Sequence, residues 1–136
     1  MKKLGVAFLT LFCLLMPSIM KAQTAEELRD LLKVVVEEMN KTCPQYFGDG
    51  VYLTKVSYRN NVIIFNMKSD ENIYFEDNDR EMKREMMEES FSDPDSMFFI
   101  QLLAESDSSL LFNFHMPGGV IRRLEYSNRE LRALCN

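Results

Sequence analysis

The residues with the greatest chemical reach are few. His115 is the only histidine, and Cys13, Cys43 and Cys135 are the only cysteines. A Cys–His nucleophile pair would have to use His115. Cys135 stands one residue from the C-terminus, a poor place to preorganise a nucleophile. No sequence feature announces an oxyanion site for Cys43. One histidine and two cysteines beyond the N-terminal segment also fall short of an ordinary four-ligand zinc site. His115 reads instead as a partly exposed strand residue near the "PGG" turn.

Carboxylates are plentiful, and "EDNDREMKREMMEE" invites a calcium reading. Asp77, Asp79, Glu81 and Glu88 fall at positions 1, 3, 5 and 12 of an EF-hand count, but Met82 occupies the sixth, where the sharp turn needs glycine. The stretch reads as a solvated helix face. Paired carboxylates for hydrolysis stay open as an alternative. There is no phosphate-binding glycine loop, no G-x-S-x-G and no H-E-x-x-H. No catalytic, cofactor-binding or metal-binding residue is assigned, and no cofactor is expected. The aromatic loop residues Tyr46, Phe47 and Tyr52 are the candidates for partner binding, with packing over a helix end as the alternative. Met82, Met86, Met87 and Met97 read as core filling, or as an adaptable binding surface.

The elements that must position these residues follow from periodicity. Thr24 and Glu27 form a capping box. Leu28, Leu31, Leu32, Val35, Val36 and Met39 then make one stripe of an amphipathic helix ending near Lys41, because Pro44 disfavours helical geometry at Cys43. "VYLTKVSY" and "VIIFNM", joined through Asn60 and Asn61, read as a hairpin. A short strand or lead-in "IYF" follows, then a helix over Asp77–Ser90 and another opened by Asp93 and Pro94. "SLLFNFHM" and "VIRRLEY" form a second hairpin about "PGG", with Phe112 and Phe114 on one face and His115 on the other. The box Ser127–Glu130 opens a last helix anchored by Leu131 and Leu134. The fold class is α+β: about four antiparallel strands from two hairpins, with helices mainly on one face.

Lys2 and Lys3 precede the apolar run Leu4–Met16, which is shorter than the roughly 20 residues of a membrane span. Residues 1–22 read as a signal peptide cleaved after Ala22, with a retained N-terminal anchor as the competitor. Cys13 follows Phe12 inside the apolar run, which is not the setting of a lipidated cysteine. Residues 23–136 suit a single domain. The sequence carries a net charge of −5, and loss of the leader removes three lysines, so the mature chain is more acidic still. Such a chain is unsuited to nucleic acid, and no membrane insertion is expected after cleavage.

Export brings Cys43 and Cys135 into oxidising surroundings, where an intramolecular bridge is the favoured reading. It would close a loop of roughly 90 residues and contribute about 4 to 5 kcal/mol by the chain-entropy model. Two unrelated thiols, or pairing between chains, are the alternatives.

The leader ending in "AQ", the capped helix, "N-x-x-C-P" and the hairpin "LTKVSYRNNVIIF" together resemble small secreted bacterial proteins of unassigned function, mainly over residues 26–67. That resemblance implies no activity or site. At fold level, cystatin-like inhibitors and beta-lactamase-inhibitor-like domains are analogous. The expectation is therefore an exported, periplasmic or extracellular, non-enzymatic module that binds a protein or peptide partner in the cell envelope. A small secreted hydrolase and a structural subunit of an envelope assembly are the alternatives.

Overall fold

The computed structural model describes residues 24–48, 50–70, 79–92 and 94–135. The leader, the "IYF" stretch, Asp77 and the Asp93 cap lie outside the described residues. Along the chain run α1 (Ala25–Lys41), β1 (Gln45–Tyr46), β2 (Val51–Arg59), β3 (Val62–Ser69), α2 (Asp79–Ser90), α3 (Pro94–Glu105), β4 (Ser109–Met116), β5 (Val120–Tyr126) and α4 (Asn128–Leu134). The five strands form one sheet in the order β1-β2-β3-β4-β5.

Both expected hairpins are present. β2 and β3 turn through Asn60 and Asn61 at φ 53° and 60°, the left-handed geometry that asparagine tolerates. β4 and β5 pair antiparallel from Leu110↔Tyr126 to Met116↔Val120. The joint between the hairpins differs from expectation, because β3 and β4 are parallel, with Phe65 opposite Phe112. The two intervening helices explain this: a helical crossover returns the chain to the end of the sheet where β3 began. The sheet is therefore mixed rather than antiparallel. The added strand β1 pairs Gln45 with Leu53 and Tyr46 with Tyr52.

One face of the sheet holds the core. Leu53, Val56, Ile63, Phe65, Met67, Leu110, Phe112, Phe114, Leu124 and Tyr126 point into it, as the period of two dictates. Leu28, Leu32, Val35, Val36 and Met39 of α1 meet them from above, with Phe99, Ile100, Leu102 and Leu103 of α3. Phe65 and Phe112 stack across the parallel joint at 5.2 Å, and Phe91, Phe99, Phe114 and Tyr126 extend the cluster. Met86 and Met87 are buried in the same core, so the core-filling reading of these two methionines holds.

The free margin of β2 is closed by α1. Asn40 donates through Nδ2 to the Val56 carbonyl at 2.5 Å and accepts the Val56 N–H at Oδ1 at 2.8 Å. One side-chain amide thus takes the place of a neighbouring strand at that position.

The expected bridge between Cys43 and Cys135 is not formed; both cysteines are free. Arg29, near the start of α1, reaches the Ser106 carbonyl at 3.2 Å and Asp107 at 4.0 Å, while Arg132 of α4 meets the same Asp107 at 2.5 Å. α4 therefore sits by the N-terminal end of α1. Cys43 lies past the other end, roughly 20 Å from Arg29 at about 1.5 Å of rise per residue. A bridge needs Cα atoms within about 7 Å. The terminal helix is held by polar contacts instead. Asn128 Nδ2 donates to the carbonyls of Leu103 (3.3 Å), Ala104 (3.2 Å) and Ser108 (2.8 Å), and Leu131 is fully buried. Leu134, expected as an anchor, is exposed.

Candidate functional site

The same alternation that fills the core leaves the second sheet face open. Registers place Tyr46 of β1, Tyr52, Lys55, Ser57 and Arg59 of β2, and Ile64, Asn66 and Lys68 of β3 on it. Leu111, Asn113 and His115 of β4, with Ile121, Arg123 and Glu125 of β5, complete it. None of these residues belongs to the core cluster beneath the helices.

Three kinds of group meet there. The first is apolar: Ile64 and Leu111 lie side by side across the parallel joint, Leu111 is buried, and Ile121 is 54% exposed. The second is aromatic. Tyr46 and Tyr52 pack with ring centroids 4.9 Å apart. The Tyr46 hydroxyl accepts the Gly50 N–H at 3.2 Å, and Asp70 beside Tyr52 raises that phenol above its ordinary value. The third is cationic. Lys55, Arg59, Lys68 and Arg123 are exposed, and none makes an ion pair with a described residue. Elsewhere most cations of the described residues are engaged: Lys33 with Asp30, Lys41 with Glu38, Lys83 with Glu130, Arg84 with Glu81 and Glu88, Arg122 with Asp79, and Arg132 with Asp107, while Arg129 on the last helix makes no ion pair with a described residue.

Asn66 and Asn113 form a polar rung between these groups. Asn113 Nδ2 donates to Asn66 Oδ1 at 3.4 Å, and Asn113 Oδ1 has no partner among the described residues. At the outer margin of β5 the face opens into a cavity of about 360 Å3 lined by Asp79 and Lys83 of α2 with Leu111, Arg123, Leu124 and Glu125. Among the described residues the cavity lining contains carboxylates but no serine, cysteine or histidine, and Asp79 is taken up by Arg122.

Of the three residues expected to bind a partner, the structure brings Tyr46 and Tyr52 together on this face. Phe47 is corrected: it is 6% exposed and belongs to the core, because the chain turns it inward between β1 and β2. His115 is on the open face, while the Cys43 thiol donates to the Met39 carbonyl at 3.4 Å, a contact made within its own helix end. Burial raises both thiols above their ordinary value, joined at Cys135 by the charge of Glu105, which is opposite to the activation a nucleophilic thiolate requires. The cationic residues of the face escaped the sequence reading. Their only signal was an alternation of basic and apolar residues within strands, and that pattern becomes a surface only once four strands are placed side by side.

No family profile and no curated protein matches the sequence. Two solved structures share the fold. The pilotin of the Vibrio vulnificus type 2 secretion system matches with a TM-score of 0.58 and 8% identity, over 79% of this chain and 94% of that one. A Pseudomonas aeruginosa protein provisionally described as secreted matches with a TM-score of 0.56 and 12% identity, over 82% of this chain and 99% of that one. At these identities the likeness is one of fold. It agrees with the resemblance to small secreted bacterial proteins and is consistent with an exported protein. Among the described residues no helix is long and apolar enough to cross a membrane.

Proposed function

We propose that this is an exported, non-enzymatic module that docks a protein partner in the cell envelope through its open sheet face, in a secretion-related assembly. The observation that carries the proposal is the face itself. Apolar, aromatic and cationic side chains, the cations without an ion pair among the described residues, share one surface on a domain whose other sheet face is packed beneath helices. Binding surfaces combine buried apolar anchors with a polar rim, and aromatic residues are enriched in them. The fold shared with a secretion-system pilotin supports the envelope setting. Residues 1–22 act as the export signal, and the mature chain begins at Gln23; the mass of the exported protein checks this.

The docking reading is tested with a photo-crosslinking amino acid placed singly at Tyr46, Ile121 and Lys33 in the native envelope. Lys33 is exposed on α1, away from the sheet face. Discrete adducts are expected from the first two positions and not from the third. Adducts of equal yield at all three, or none from the sheet face, would overturn the assignment.

A further inference from the structure

The charges on the open face identify the kind of partner. Lys55, Arg59, Lys68 and Arg123 stand there against two carboxylates, Glu125 and, at the Tyr52 margin, Asp70. The whole sequence has a net charge of −5, so the remainder of the chain is more acidic than the total and the two regions are opposed in sign. Ordinary surfaces intersperse charges, and this protein's helical surfaces do so through i,i+3 and i,i+4 pairs such as Lys33–Asp30 and Arg84–Glu88. The sheet face does not.

Four cations that make no ion pair with a described residue, on an acidic protein, favour an anionic ligand at this face over the acidic remainder of the surface. Ile64 and Leu111 lie within the same face, so the ligand must carry apolar groups beside its negative charges. Resting on the docking reading above, we infer that the open sheet face takes an acidic, amphipathic polypeptide segment of the partner, with its apolar side chains over Ile64 and Leu111 and its carboxylates on the surrounding cations. Arg123 lines the cavity at the β5 margin beside Asp79, Lys83 and Glu125, and it makes no ion pair with a described residue, so it is the cation there that an acidic side chain of the segment would meet.

An anionic bilayer presents the same charge, but over an unlimited plane. Leu111 is recessed, at 7% exposure, and the cavity at the β5 margin lies below the surface, so projecting side chains of a polypeptide reach both where a plane of headgroups does not. That relief favours the polypeptide.

The test uses the full exported protein and three fluorescent peptides of one length: an alternating Glu/Leu peptide, its Glu→Gln counterpart, and its Glu→Lys counterpart. Vesicles of phosphatidylcholine with phosphatidylglycerol form a fourth arm. The acidic peptide is expected to bind with a salt-dependent affinity. The Gln peptide should bind about tenfold more weakly and the Lys peptide not at all. Lys55→Glu with Arg123→Glu should abolish the preference for the acidic peptide. Both residues are exposed and make no ion pair with a described residue, so the variant is expected to fold; its circular dichroism and thermal midpoint verify that. Lys33→Glu, on α1, should leave binding unchanged. Equal binding of the acidic and Gln peptides overturns the inference, and so does vesicle binding lost in the same double variant, which would assign the face to a membrane. If the Tyr46 and Ile121 crosslinks to a native partner survive the double charge reversal, docking stands and only the acidic nature of the partner fails. If those crosslinks never form, the docking reading itself fails.

Discussion

The side-chain amide of Asn128 donates to the carbonyl of Ser108 at 2.8 Å, and through this contact the first turn of α4 is fastened to the loop leading into β4. The same nitrogen lies within reach of the Leu103 and Ala104 carbonyls at the end of α3, which also accept the Ser108 and Asp107 N–H groups. Removing it takes away the side-chain donor to the part-buried Ser108 carbonyl and the tie between α4 and the end of α3. Asn128→Ala is expected to destabilise the domain by about 1 to 3 kcal/mol, read as a lower urea midpoint with an unchanged slope. A midpoint equal to that of the parent would show that α4 is held by Leu131 and its ion pairs to Asp107 and Lys83 without the amide.

The free thiols give a second expectation. Denatured without reductant, the natively exported protein should alkylate at both Cys43 and Cys135, and reductant should leave its unfolding midpoint where it was. Peptide mapping that recovers the two cysteines as one linked peptide would contradict the separation set by Arg29, Asp107 and Arg132.

Third, adjacent residues of β4 should respond in opposite ways. Phe114 is 1% exposed and stacks on Phe112 at 6.2 Å, while His115 is exposed on the open face. Phe114→Ala should cost about 3 to 5 kcal/mol through lost burial and the cavity left behind. His115→Ala should stay within about 0.5 kcal/mol, as surface substitutions do. Parallel urea melts of the two variants decide this.

Fourth, Glu130 links stability to pH. Burial acts to raise its carboxyl, but hydrogen bonds from Lys83 and Ser127 outweigh it and hold the group below the ordinary value of 4.5. Because the folded value lies below the unfolded one, the contribution is complete above the ordinary carboxylate range. It is lost as pH falls through the folded value. Glu130→Gln keeps a side-chain acceptor for the Ser127 cap but removes the charge beside Lys83, whose ammonium also stands 5.1 Å from the Tyr126 ring centre. With the glutamate side chain 47% exposed, the effect at neutral pH is expected to be under about 1 kcal/mol. The gap between parent and variant should close as acid titrations pass below the carboxylate range. A gap independent of pH would assign the effect to packing.

Local order was written in the sequence. The α1 stripe from Leu28 to Met39, the Asn60–Asn61 turn, the alternation of Phe112 and Phe114 with His115, and the Ser127–Glu130 capping box each depend on residues within a turn or two of one another. Side-chain period and backbone preference therefore suffice to specify them. What the sequence left open was every relation between distant segments. Each hairpin states its own antiparallel pairing, but nothing in "VIIFNM" or "SLLFNFHM" states that the two strands run parallel, since that follows from the path of α2 and α3. The cysteine pairing failed for the same reason: chemistry and compartment permitted a bond that helix length and the Arg29–Asp107–Arg132 contacts rule out. The open face is the clearest case. Lys55, Arg123, Ile64 and Leu111 come from four strands, and only the sheet order, which sets who lies beside whom, turns four separate alternating patterns into one cationic and apolar surface.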